Sequence, residues 1–321
     1  LVSSSSWLTG VLRLEQAQLW KTQLWKNTAL ENTALENTAG PEWLHRPDPG
    51  VRIADMAVVA TGWSELQTLL TSDGVRVSAA LRRAGDGDTG LAYVLAHGFT
   101  GTWRSSGLRR VAVVLSQGPG AGGVVAFDFR GHGRSGGTST LGDREVLDLD
   151  AAIQWARLLG YERVATVGFS MGASVAIRHA ALLGGVDAVV AVSGPARWFY
   201  KGTAPMRRVH YAVESPAGRL VARVALGTRV GAQHWDPVPE EPRVVVSRVA
   251  PTPLLVVHGD SDRFFPLDHA YELAAAAGPG GVLWIEPGFG HAEAAIGPDL
   301  TARIGGWVRG AVGLEVTRAG S

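Results

Sequence analysis

Apolar residues recur along the chain with two periods, and the switches between them mark out its elements. ELQTLLTSDGVRVSAALRR, residues 65–83, holds two β-forming runs on either side of Ser72-Asp73-Gly74, a turn sequence that predicts an antiparallel hairpin. LAYVLAHG (91–98) and GGVVAFDFRGHG (122–133) are nearly continuous apolar runs that stop at glycine, with a helical stretch between them. Such runs suit parallel strands buried on both faces. In LGDREVLDLDAAIQWARLLG (141–160), Val146, Leu149, Ile153 and either Ala156 or Leu158 fall near helical spacing, and acids occupy the first half, as in an amphipathic helix. RVATVGFS (163–170) predicts a strand and MGASVAIRHAALLG (171–184) a helix. Three further strands start at 186, 253 and 281, and helices near 267–277 and 299–310 follow the last two. Strands alternating with helices imply an α/β fold, a mostly parallel, doubly wound sheet covered on both sides.

Two segments depart from this alternation. Residues 195–250, after the sixth predicted strand, carry Trp198, Phe199, Tyr200, Met206, Tyr211 and Trp235 among prolines and arginines. An insertion at the carboxyl end of a parallel sheet is where a lid sits, so a small cap is expected in preference to a mere cover for the sheet edge. Near the N-terminus, QLWK at 18–21 recurs at 23–26, and NTALE at 27–31 recurs at 32–36 before NTA at 37–39. A five-residue period keeps no face of a helix or strand apolar. Residues 1–40 are therefore expected to be a low-complexity extension and 41–62 a lead-in, with the folded domain at 63–310 and a tail at 311–321.

Composition narrows the chemistry. Of 321 residues, 46% are hydrophobic and 18% charged, a balance that allows a full core. The 30 basic and 29 acidic side chains leave a formal charge of +1, and no block of like charges stands out, which argues against nucleic acid or anionic membrane as partners. The absence of cysteine excludes disulfides, thiolate catalysis and cysteine-based metal sites, and fits a cytoplasmic protein. No apolar run reaches the ~18 residues of a membrane span, and the short apolar start lacks the basic flank of a secretory signal.

The sharpest local signal is Gly168-Phe169-Ser170-Met171-Gly172, a G-x-S-x-G placed between a predicted strand and a predicted helix. A serine that must project from so sharp a turn needs small neighbours two residues away on each side, so that strand and helix can pass. By contrast, the Gly-rich and basic stretch 128–137 has neither the P-loop nor the dinucleotide spacing, and no His/Asp/Glu cluster has metal-ligand spacing. No cofactor or metal is expected.

Together HGFTG (97–101), DFRGHGRSGG (128–137), GFSMG (168–172), HGDSDRFFP (258–266) and GFGHAE (288–293) fall in order at the ends of predicted strands, and over residues 63–310 the chain resembles the α/β-hydrolase family. The resemblance implies an α/β-hydrolase sheet and a serine hydrolase acting on a small-molecule ester or related acyl bond, with Ser170 as nucleophile, His291 as its base and Asp262 as the orienting acid. It also implies an oxyanion hole made by the backbone N–H groups of Phe99 and Met171. Asp260 is expected to cap its own turn, and His97 and His258 to be structural; His132 falls in a loop that shapes the site, and His179 on a helix. His269, on a predicted helix seven residues after Asp262, is the one rival to His291. Trp198, Phe199 and Tyr200 are candidate pocket residues for an apolar group of a small or medium substrate. Thioesterase, peptidase or acyltransferase chemistry on the same residues, or a ligand-binding protein without catalysis, are the alternatives.

Overall fold

A computed structural model of the chain describes residues 62–85, 90–117, 120–232 and 235–314. The repeats expected to form an extension, most of the 41–62 lead-in and most of the tail lie outside the described residues.

The hairpin forms as the turn chemistry requires. Strands β1 (Glu65–Leu70) and β2 (Arg76–Arg82) pair antiparallel, with Leu70 opposite Arg76 and Gly74 at φ 81° in the turn. They begin an eight-stranded sheet of order β1-β2-β4-β3-β5-β6-β7-β8, in which β3 (Leu91–Ala96), β4 (Gly123–Phe127), β5 (Arg163–Phe169), β6 (Ala188–Val192), β7 (Leu254–Gly259) and β8 (Gly281–Glu286) run parallel. Along β3, Ala92, Val94 and Ala96 enter the core on one face of the sheet, and Leu91, Tyr93 and Leu95 the core on the other. This two-residue alternation, with both faces buried, is why the strand reads as a continuous apolar run.

Helices α1 (Ser106–Gln117) and α9 (Pro298–Ala311) cover the second face, while α2 (Glu145–Leu158), α3 (Met171–Leu182) and α7 (Leu267–Ala277) cover the first. In α2, Val146, Leu149, Ile153 and Ala156 are buried whereas Leu158 is 86% exposed, which settles the register that the spacing left open. Each such buried aliphatic side chain contributes on the order of 1.5–3 kcal/mol relative to exposure.

Between β6 and β7 the expected insertion divides in two. Its first part carries α4 (Ala204–Glu214) and α5 (Pro216–Ala225), each opened by a side-chain cap and a proline: Thr203 Oγ1 accepts from the Met206 N–H, and Ser215 Oγ from the Gly218 N–H. The two helices approach so closely that a Cβ at Gly218 would meet the Tyr211 carbonyl. Its second part, α6 (Pro242–Val245) and the 3-10 turn Val246–Val249, buries Val245, Val246 and Val249 in the core beside α3. That part belongs to the layer covering the sheet and not to a projecting element, because three valines in sequence find their burial only there.

Candidate active site

Ser170 sits where β5 turns into α3, at φ 52° and ψ −115°. This is a conformation that a non-glycine residue holds only when its surroundings enforce it. The enforcement is visible in the two flanking glycines: a Cβ at Gly168 would run into the Gly172 carbonyl, and one at Gly172 into the Ala96 carbonyl. Strand and helix pass at a distance that only glycine allows. The turn aims the Ser170 hydroxyl into a cleft of about 2110 Å³ above the carboxyl ends of the strands. That volume exceeds what a small substrate needs, since pockets for drug-sized ligands span roughly 300–1,000 Å³.

His291 lies in the loop after β8, 121 residues further along the chain, and its Nε2 is 3.0 Å from Ser170 Oγ. Its Nδ1 is 2.7 Å from Asp262 Oδ2. A carboxylate can only accept, so Nδ1 carries the proton and Nε2 is left to accept from the hydroxyl. The Phe264 ring stacks on the imidazole at 4.3 Å and 24° and fixes its plane. The Asp262 side chain is fully buried, and its second oxygen accepts from the Phe264 and Phe265 N–H groups at 2.7 and 3.1 Å. Burial pushes the carboxyl pKa upward, but the hydrogen bond from His291, its charge and the two backbone donors outweigh burial and hold the group below its ordinary value. Asp262 is therefore a carboxylate at neutral pH.

The neighbouring Asp260 does something else. It is exposed, and Oδ1 accepts from Gly288 N–H at 2.8 Å, so it ties the loop after β7 to the loop after β8 and does not cap its own turn as the sequence suggested. The loop after β8 is that of His291, which made the tie invisible to a local turn argument.

The other histidines separate cleanly. His97 Nδ1–H donates to the Gly98 carbonyl (2.7 Å) and Nε2 accepts from Phe129 N–H (3.0 Å). Burial lowers its pKa to about 4, and that of His132, beside it, to about 3. His258 is buried with Nε2–H on the Phe265 carbonyl at 2.9 Å and packs behind Asp262. His179 faces Asp150 at 3.2 Å. His269, the rival, is buried in α7, where Nδ1 accepts from Ala196 N–H at 3.0 Å, so it has no access to Ser170.

Phe99 and Met171 both line the cleft beside Ser170, and among the described residues neither backbone N–H has a protein acceptor. Met171 N–H also opens α3, where the helix dipole favours an anion. Trp198 and Phe199 line the cleft. Tyr200 does not. Its ring packs edge-on against His269 at 4.6 Å and near Phe265, outside the cleft lining. Sequence reasoning also missed the support of the 128–142 loop. Arg130 lies between Asp148 and Asp73, and the buried Glu145 carboxylate accepts from Ser139, Thr140, Leu141 and Gly142. In the sequence Asp73 reads only as a turn residue, and Glu145 and Asp148 only as the polar side of a helix start. Among the described residues no group of three or more His, Asp or Glu could hold a metal ion, and no helix is long and apolar enough to cross a membrane.

A family profile described as "Alpha/beta hydrolase family" matches residues 93–303, which include every site residue above. The chain belongs to the alpha/beta hydrolase family. A monoacylglycerol lipase of Mycolicibacterium smegmatis is 29% identical over 184 residues, 45% of this chain. The chain spans 61% of the length of that curated relative. An esterase of Pyrococcus furiosus superposes with a TM-score of 0.62 at 22% identity, covering 86% of this chain and 100% of the esterase. A serine hydrolase of Xanthomonas campestris, described as lacking a lid, superposes at 0.51 and 19% identity, covering 78% of this chain and 94% of its own. At these identities the two structures establish the alpha/beta hydrolase fold.

Proposed function

We propose that the protein is a serine hydrolase that cleaves an ester or related acyl bond through an acyl-enzyme. The observation that carries this reading is the His291 imidazole held between Ser170 Oγ at 3.0 Å and the buried Asp262 carboxylate at 2.7 Å. In this reading His291 Nε2 takes the Ser170 proton as Oγ attacks the acyl carbonyl, and Asp262 steadies the imidazolium that results. The Phe99 and Met171 N–H groups donate to the developing oxyanion. His291 then returns its proton to the leaving alkoxide and takes one from water; the hydroxide attacks the acyl carbonyl, the acid departs as the Ser170 Oγ–acyl bond breaks, and His291 gives its proton back to Oγ.

Helices α4 and α5 act as a cap in this scheme. Pro205, Met206, Val209 and Val213 of α4 line the cleft together with Trp198 and Phe199, an apolar wall suited to an acyl chain. The cap is tied down at its start, where Thr203 Oγ1 donates to the Phe264 carbonyl at 2.9 Å, and near its end, where Trp235 Nε1 donates to the Thr140 carbonyl at 2.8 Å. The volume of the cleft, and the name of the mycobacterial relative, make monoacylglycerols a member of the ester panel to test beside short p-nitrophenyl esters.

Ser170→Ala is expected to abolish the burst of p-nitrophenol from p-nitrophenyl butyrate and labelling by a fluorophosphonate, while the protein stays folded. A full burst from the alanine variant overturns the assignment. A folded wild type that neither hydrolyses nor labels would point instead to a binding protein on this fold.

A further inference from the structure

Phe99 of the loop HGFTG lines the cleft, and Gly98 precedes it; in the reading above its N–H is one of the two oxyanion donors. Glycine leaves both backbone dihedrals soft, so contacts from other residues must hold the peptide that carries this donor. That peptide is trans, so its Gly98 carbonyl and its Phe99 N–H point in opposite directions. The carbonyl is fixed by two donors, His97 Nδ1–H at 2.7 Å and Gly101 N–H at 3.0 Å. On the other side of Gly98, its own N–H donates to Glu293 Oε1 at 3.0 Å, across 195 residues of chain.

Glu293 follows His291 by two residues and stands on the short helix α8 (Ala292–Ala295). Its backbone is held in turn by α1, for a Cβ on Gly107 would collide with the Glu293 carbonyl. The carboxylate occupies room that the loop's glycines leave open: a Cβ at Gly101 would come within 3.1 Å of Oε1, and one at Gly98 within 3.4 Å of both oxygens. A Cβ at Gly98 would also lie 3.3 Å from the Ser170 Cβ, so the tethered residue borders the serine itself.

We infer that Glu293 is a positioning residue for the oxyanion donor, its carboxylate clamping the Gly98 N–H so that the loop bearing Phe99 and the loop bearing His291 keep a fixed spacing. The inference rests on the serine-hydrolase reading of the same site. Glu293 touches no reacting atom; it acts through the Gly98 peptide. Its charge is not what the role requires, because a carboxylate so near the oxyanion opposes the charge that develops there, whereas an acceptor oxygen for Gly98 N–H suffices. An amide oxygen supplies that acceptor without the charge.

The test compares Glu293→Ala with Glu293→Gln in the full chain. The alanine variant should lose roughly 10- to 100-fold in kcat on p-nitrophenyl butyrate, approaching the loss of an oxyanion donor itself, with KM little changed, and the glutamine variant should recover most of that loss. Equal activity in the alanine variant and wild type overturns the inference, and so does a glutamine variant as impaired as the alanine one, since the charge would then matter and not the bond. Amide hydrogen exchange over residues 97–103 decides the matter independently of turnover. Exchange there should quicken in Glu293→Ala and not in Glu293→Gln, and an unchanged rate in both overturns the tether. If wild type neither turns over esters nor reacts with a fluorophosphonate, the serine-hydrolase reading fails while the exchange measurement still reports on the tether.

Discussion

Two carboxylates one residue apart, Asp260 and Asp262, have different work because their surroundings differ. The Asp262 side chain is sealed from solvent, and its two oxygens accept from His291 and two backbone N–H groups. Asp260 stands in water and fastens one loop to another. Asp262→Asn should therefore lower kcat on p-nitrophenyl esters by on the order of 10⁴, the scale known for a lost orienting acid, with the melting temperature little moved. Asp260→Asn should cost turnover only a small factor. Equal losses in the two variants, measured side by side, would remove the distinction. The same contrast explains why His269 is no rival: its Nδ1 accepts from Ala196 N–H and its Nε2 faces the Arg197 guanidinium, so neither ring nitrogen is directed to the Ser170 hydroxyl.

At the scale of elements, the site depends on how closely β5 and α3 cross. Gly168 meets the carbonyl of Gly172, and Gly172 that of Ala96 on the adjacent strand, so the turn holding Ser170 is wedged between backbones that have no slack. Gly172→Ala puts a methyl against rigid carbonyl oxygens instead of a yielding side chain. The expected cost is about 1–3 kcal/mol of stability, the range for overpacking, read as a lower urea midpoint and accompanied by loss of burst activity through displacement of Ser170. An alanine variant with wild-type midpoint and turnover would show that strand and helix have slack at this crossing. The cap helices sit at the opposite extreme. Of α4 only Met206 is buried, and of α5 only Gly218 and Ala222, so they rest on the domain with few apolar contacts, a property of elements that open at low cost.

Over the whole molecule, the sheet divides two apolar cores, and it buries titratable groups close to the site as well. His97 and His132 are held neutral by burial, with pKa values of about 4 and about 3. Both values lie below those of the unfolded chain, so the stability they contribute is fully present above about pH 6.5 and is lost as pH falls toward the folded values. One imidazole displaced by ~2.5 units accounts for on the order of 3 kcal/mol. Urea midpoints should accordingly decline between pH 6.5 and pH 4, and a flat profile across that window would contradict the burial of neutral imidazoles beneath the HGFTG loop.

The sequence alone determined the alternation of strands and helices, the hairpin and the strand-to-helix turn at Ser170. These features are local: side-chain period is set by backbone geometry, and turn residues by their own dihedral freedom. The tertiary structure decided what depends on the path of the chain between distant segments. It set the face that Leu158 and Tyr200 present, and it gave Asp260 to the Gly288 loop. It buried the end of the insertion in the core. It also brought Glu293 to the Gly98 N–H across 195 residues, a contact that no local spacing encodes because only the packing of α8 against α1 puts the two within reach.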